Sequence, residues 1–402
     1  MNKPSKLQAA PKHPGIIALL IFSVLATLAI MVLSEYKYLP EAPDKITYDW
    51  RTAFFSDAVK KQRKDIAVIL VTDDSIAQYW SRSPIDRAML AELVKAVDAA
   101  EPAAIGLDFI FDRPAEPHKQ EAMLNAMKNA KAPIIIGALE RPEGDRRIKG
   151  MREKNFDWQD NFIKETGKQA GHIRFKNEQK RFSVDDQVIR FLGAKSNGQS
   201  SYPSFAELLA KVKNPNAKSE SPYIAWLMEL EKGGQTVFPR IYVSEHKPVD
   251  GTGNGDTLLP EHIKGLLKDK IVLIGADLVN LDQHLTPFSV LRKEKIPGVL
   301  IHAQIVAQLI DGREVFELNK IFEIIAVLLI VVFGFYLAFR FNLKRYDFIM
   351  GAVGITVLIA LGVVTFHLGK TIIPSTTFSL AWILGVWGGH LYRSYYKTPE
   401  RS

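Results

Sequence analysis

Two kinds of hydrophobic run divide this chain. Long uncharged runs of helical length stand near its two ends, and short runs rich in β-branched residues stand between them. "GIIALLIFSVLATLAIMVL", Gly15 to Leu33, carries no charge over 19 residues, and a helix of that length matches a hydrocarbon core roughly 30 Å thick. A cleaved signal peptide would end its apolar part after about 7–15 residues at a small-x-small site. Here "SEYKYLP" follows, so residues 15–33 predict a retained spanning helix. Toward the other end, "IFEIIAVLLIVVFGFYLAF" (Ile321–Phe339), "FIMGAVGITVLIALGVVTF" (Phe348–Phe366) and "TTFSLAWILGVWGGHLY" (Thr376–Tyr392) predict three more spans in a hairpin bundle. Glu323 and His390 interrupt these runs close to helix ends, where snorkelling to the interface explains an ionisable group better than a proton relay does.

The short runs are "IAVILV" (Ile66–Val71), "AIGLDFIF" (Ala104–Phe111), "PIIIGAL" (Pro133–Leu139) and "IVLIGA" (Ile271–Ala276). They are apolar throughout instead of alternating, as strands buried on both faces are. Helical patterns lie between them: Ile85 to Ala100, with Met89, Leu90, Leu93, Val94 and Val97 on one side, and Gln120 to Ala130. Strands alternating with helices predict an α/β fold, a mostly parallel sheet covered by helices. In "RSPIDR" the pattern predicts Ser83 as a helix cap with Pro84 in the first turn, and "SFAE" (Ser204–Glu207) repeats the capping-box spacing. The basic middle, residues 144–198, fits no clear pattern beyond "HIRF" and "QVIRFL", which predict an antiparallel edge. "GTGNGDT" (Gly251–Thr257) has neither the strand-to-helix frame nor the lysine of a phosphate loop and predicts a surface turn.

Charge sets the orientation. Lys3, Lys6 and Lys12 precede the first span; Arg340, Lys344 and Arg345 join the second and third; Arg393, Lys397 and Arg401 follow the fourth. Positive residues are retained in the cytoplasm, so both termini (residues 1–14 and 393–402) are expected there, in a bacterial inner membrane, with residues 34–320 on the periplasmic side. Part of the net charge of +8 is therefore topological, and no nucleic acid is expected as a partner. The 402 residues hold 47% hydrophobic side chains, enough for a sizeable core, and no cysteine, which excludes disulfides, thiolate nucleophiles and cysteine-ligated metals.

Open α/β sheets bind ligands at the carboxyl ends of their strands, and acidic residues gather there. Asp73 and Asp74 end the first strand, Asp108 sits in the second, and "GADLVNLDQHLTP" after the last carries Asp277, Asp282 and His284. An enzyme would use Asp73, Asp74 and Asp108 as metal ligands, or Asp282 with His284 as an acid–base pair, in a periplasmic hydrolase or metal-dependent reaction. No compact metal motif or nucleophile elbow supports that, and aspartates at strand ends commonly satisfy the amides of a βα turn. The ligand-contacting candidates are Asp73, Asp74, Arg87, Asp108, Asp282 and His284, with Asp277 and Thr286 organising the turn; Arg87 and His302 read more readily as structural residues. No metal or cofactor is expected.

"DIAVILVTDDSI", "SPIDRAMLAELVKA", "IGLDFIF", "YPSFAELLAK" and "KDKIVLIGADLVNLDQHLTPFSVLRKEKIPGVLIHAQIVAQLIDGREV" resemble, in order and spacing, the second class of CHASE domains, extracytoplasmic sensory modules of cyclases and histidine kinases. The resemblance covers roughly residues 38–315 and extends to the layout of one span before the domain and three after it. It implies a non-enzymatic sensor. "SRSPIDR" stands where the family has a tryptophan-rich element, and "RSYYKTPERS" alone follows Tyr392, so no output domain is expected. That leaves a stand-alone sensing or scaffold subunit with a small periplasmic ligand, the lipid bilayer around it, and other integral membrane proteins as partners through the C-terminal helices. Gly351, Gly354, Gly385 and Gly389 are the candidate helix-packing positions, whether against a partner or within the bundle.

Overall fold

The structure, a computed structural model, describes residues 15–36, 42–79, 81–141, 152–175, 188–192, 202–229, 236–243, 259, 261–341 and 347–397. The chain begins with α1 (Ile16–Glu35) and α2 (Ala42–Phe55). Then come β1 (Asp57–Ala58), β2 (Ile66–Thr72), α3 (Arg87–Asp98), β3 (Ala104–Asp108), α4 (Pro117–Asn129), β4 (Ile134–Ala138), α5 (Glu153–Thr166), β5 (Gln169–His172) and α6 (Phe205–Lys211). These are followed by β6 (Leu227–Met228), β7 (Arg240–Tyr242), α7 (Glu261–Leu267), β8 (Ile271–Asp277), β9 (Gln283–His284), α8 (Ser289–Arg292), β10 (Ile296–Pro297) and α9 (Gly298–Asp311). The last elements are β11 (Phe316–Glu317), α10 (Lys320–Arg340), α11 (Asp347–Gly369), β12 (Thr371–Ile372) and α12 (Ser375–Lys397).

One compact unit holds residues 56–178 and 186–314. Its frame is a six-stranded sheet in the order β5-β4-β3-β8-β2-β7, parallel at every pairing. The central strands β2 and β8 run in register from Ile66 opposite Ile271 to Thr72 opposite Asp277. They are apolar on both faces because both faces are covered. Ala67, Ile69, Val272 and Ile274 pack with Met89, Leu93 and Val97 of α3, Met123 and Met127 of α4 and Phe162 of α5. Ile66, Val68, Ile271 and Leu273 pack with Phe205 and Leu209 of α6 and Val299 and Val306 of α9. Each valine, leucine, isoleucine, methionine or phenylalanine among them contributes about 1.5–3 kcal/mol by leaving water.

The four strands read from the sequence are present, and three local readings change. Helix α3 starts at Arg87, not at Pro84: Asp86 is its cap, accepting from the amides of Ala88 and Met89, while Ser83 and Pro84 lie in the preceding loop. Ser204 does cap α6, accepting from the Glu207 amide. In the basic middle, α5 and β5 appear where no clear pattern was read, and β5 adds to the edge of the sheet parallel to β4, not antiparallel. "GTGNGDT" lies outside the described residues.

The other unit contains the described residues up to Phe55 and from Val315 onward. Among the described residues three helices are long and apolar enough to cross a membrane: α1, α10 and residues 349–369 of α11. Helix α12 matches them in length at 23 residues, but its serines, threonines and glycines leave it less apolar. All four share a core of Ala26, Ile30, Val327, Val331, Leu358 and Trp382. Outward-facing Leu20, Ile21, Leu329, Phe333, Val357 and Leu361 stay exposed, the arrangement of a bundle solvated by hydrocarbon.

Candidate functional site

Parallel strands leave their carboxyl ends at one edge of the sheet, and the loops there carry the polar residues of interest. Beyond β8 the backbone turns sharply, with Asn280 and Asp282 both in the left-handed region, at φ 64° and 51°. Asn and Asp tolerate that conformation better than most residues. Gln283 donates to the Asp277 carboxylate at 2.9 Å, and Ser289 and Thr286 bind each other's backbone across the following turn. The antiparallel β9 and β10 pairing then returns the chain so that the Gly298 amide, at the start of α9, donates to the Asp282 carbonyl at 3.0 Å. The Asp282 carboxylate occupies the space where Gly298 would carry a Cβ, so a larger residue there would have to displace the carboxylate. A carboxylate at that point also meets the positive end of the α9 dipole.

One turn further along α9, His302 is buried beside Asp108, with Nε2 3.9 Å from the carboxylate. Its Nε2 donates to the Ile173 carbonyl at 3.1 Å, which leaves Nδ1 as the acceptor of a neutral ring; Nδ1 is buried and has no hydrogen-bond partner among the described residues. Phe175 stacks on this imidazole with centroids 4.6 Å apart, and Phe205 meets it edge-on at 5.2 Å. Phe175 also meets His284 edge-on, with centroids 5.3 Å apart, and His284 is bonded to Asp282 at 2.8 Å. Two imidazoles thus share one phenyl ring.

The two pairs differ in depth. The Asp282 and His284 side chains keep 46% and 27% of their exposure, whereas Asp108 and His302 keep 5% and 6%. Burial, assisted by the charge of Asp282, holds the Asp108 carboxyl well above the usual carboxylate range. Burial lowers His302 to about 4, against the opposing pull of Asp282 and of the Ile173 bond. Both inner groups are pushed toward their neutral forms. Glu140, just past β4, is also raised by burial, opposed by the charge of Arg174.

The remaining sequence candidates lie elsewhere. Asp73 accepts from the Val279 amide at 2.9 Å and pairs with Arg82, tying the loop after β2 to the loop after β8. Asp74 opens a 3₁₀ turn, Asp74–Ile76. Arg87 is buried against the other face of the sheet. Its guanidinium lies 4.6 Å from the Trp158 ring and 5.3 Å from Phe162, and donates to Gln120 and the Arg113 carbonyl. Burial lowers it to about 10 despite Asp112 and Glu116 nearby. The structure therefore brings together Asp108, Asp282 and His284 and adds His302, Phe175 and the end of β5. Of these, "HIRF" was read in the sequence as part of an antiparallel edge, with no role at the site.

Among the described residues no group of three or more His, Asp or Glu side chains is arranged to hold a metal ion. In the helical bundle, a Cβ at Gly385 would lie 2.6 Å from the Val331 carbonyl, and one at Gly389 would meet the Phe335 carbonyl. Gly354 lies against the Trp382 indole, and Gly351 has open space.

A family model of the CHASE2 domain matches residues 18–337. The chain belongs to the CHASE2 family. CHASE2 domains are extracytoplasmic sensory modules, so a sensory domain attached to spanning helices makes this a membrane protein with a sensing role. Comparison with curated proteins and with solved structures gave no match. In this CHASE2 domain, the matched region includes the whole sheet, the loop of Asp282 and His284, and the helix that carries His302.

Proposed function

We propose that this CHASE2 protein is a non-catalytic sensing subunit of a larger membrane assembly, in which Asp282 and His284 meet a small periplasmic ligand and the buried Asp108 and His302 respond to it. The observation that carries this reading is the graded pair of pairs at the carboxyl edge: an exposed carboxylate and imidazole in front of a buried carboxyl and imidazole. A change of charge on Asp282 acts on both inner groups, since its field already bears on Asp108 and on His302. The inner groups are buried against the Phe175 and Phe205 rings, an arrangement that suits a group responding to an outer ligand better than one turning substrate over. The apolar outer faces of the bundle supply area for membrane partners.

The test is extraction of the full chain from its native membrane in mild detergent, with mass spectrometry of the proteins held at stoichiometric levels, parent and Asp282→Asn side by side. A cyclase, kinase or phosphatase whose recovery changes in the variant is the expected result. Transporter or motor subunits retained equally by both chains would replace sensing with a scaffold role, and the absence of any companion would overturn the subunit reading.

A further inference from the structure

Helix α2 is inside-out for a helix that faces water. Tyr48, Asp49, Arg51, Thr52 and Ala53 are each at most 3% exposed, whereas Ile46, Trp50 and Phe54 keep 51%, 46% and 50% of their exposure. The exposed three recur every fourth residue, which places them on one face. Trp50 and Phe54 stack at 5.4 Å with their planes 11° apart, forming one aromatic patch. A water-facing helix would turn Asp49 and Arg51 outward and bury the indole.

The buried face is fastened to the bundle. Asp44 accepts from the Thr376 amide at 2.9 Å, at the start of α12. Arg51 donates to the Gly362 carbonyl at 3.4 Å, and Lys370 donates to the Phe55 carbonyl at 2.9 Å. Tyr48 meets Phe366 edge-on, and Phe55 meets His367. Helix α2 therefore lies along the last two turns of α11. Gly362 is seven residues before the end of α11 at Gly369, about 10 Å along the axis at 1.5 Å per residue. A helix lying in the interface buries its apolar face about 5–10 Å into the headgroup and acyl boundary.

We infer that α2 lies in the membrane interface, with Ile46, Trp50 and Phe54 immersed in the extracytoplasmic leaflet. The occupant of this face is lipid, not protein. The patch continues the exposed apolar surface of α11, where Leu361, Val364 and Leu368 are 46%, 49% and 79% exposed, and tryptophan is the residue the headgroup region prefers. Helix α2 is thus membrane-bound, and the lipid composition of that leaflet acts on it directly.

The chain has no cysteine, so single labels can be placed without a prior variant. Phe54→Cys and Ile46→Cys, each carrying a nitroxide, are compared in full-length protein in phospholipid nanodiscs by collision with oxygen and with a water-soluble nickel chelate. Leu361→Cys marks lipid and Lys218→Cys marks water; Ile46→Cys leaves the stacked pair intact should Phe54→Cys fail to fold. The expected result is loss of nickel collisions with oxygen collisions retained, as at residue 361. Nickel access like that at residue 218 overturns the inference, and so does protection from both reagents, which would mean a second copy or another protein covers the face.

Discussion

His302 is a core residue whose titration is set by its burial. Its ring is buried, stacked on Phe175 and bonded to a carbonyl, and burial takes its pKa to about 4 from an ordinary 6.5. The unfolded chain then binds a proton that the folded chain refuses. Stability from the neutral ring is complete above about pH 6.5 and is lost as the pH falls toward 4, by up to about 3 kcal/mol. Asp108 acts in the opposite sense: its raised carboxyl favours the folded state at low pH, and that contribution is lost as the pH rises. Asp282, His284 and His172 also bear on this pocket, so the parent's pH profile is a composite, and substitution is needed to separate its parts. His302→Gln keeps a donor for the Ile173 carbonyl without a group that titrates. Thermal unfolding of the purified full chain at pH 7 and pH 4.5 should show the variant losing less stability on acidification than the parent; equal losses would mean that the ring is not held neutral.

At the scale of elements, glycines decide how the helices meet. Gly385 and Gly389 of α12 lie against the backbone carbonyls of Val331 and Phe335 in α10, where even a methyl group needs the backbone to move. Overpacking of this kind costs about 1–3 kcal/mol. Gly385→Ala and Gly389→Ala should each lower the unfolding midpoint in detergent by several degrees, whereas Gly351→Ala, which has open space, should leave it in place; equal effects would show that spacing alone, without contact, was being read. The same contrast explains what the sequence revealed. The central strands were legible because burial on both faces makes them uniformly apolar. Strand β5 was not, because "QAGH" is short and half polar at the sheet edge, and α3 starts late because Asp86 competes with Ser83 as a cap and wins both amides. Asp108, Asp282 and His284 were legible from their position at strand ends. His302 was read as a hydrogen-bonded core histidine and is one, bonded to the Ile173 carbonyl; what an apolar helix face could not reveal is the Asp108 beside it, and Arg87, a ligand candidate in sequence, faces aromatic rings on the opposite side.

The whole molecule turns on whether α12 crosses the membrane. Its hydropathy sets it apart from α1, α10 and α11, yet its packing argues for a crossing. Val331 faces Gly385, Phe335 faces Gly389, and the Phe339 carbonyl accepts from Arg393 at 2.7 Å. Each pair is offset by the same number of residues, so α10 and α12 run parallel in register over at least two turns. The Tyr392 hydroxyl accepts from the Gly15 amide at 3.1 Å, placing the end of α12 level with the start of α1. At the opposite end Asp44, which follows α1, reaches the first turn of α12. Twenty-three residues span about 35 Å, enough for the hydrocarbon core. Low hydropathy is tolerated because Gly385, Gly388 and Gly389 face other helices and not lipid. The cysteine-free chain allows a direct measurement in spheroplasts with a membrane-impermeant maleimide. Lys218→Cys should react at once, whereas Tyr395→Cys, 78% exposed just past the crossing, and Lys344→Cys should react only after the membrane is permeabilised. Immediate labelling at residue 395 with protection at 344 would mean that α12 turns back before crossing, and the basic residues after it would then have no part in setting the orientation.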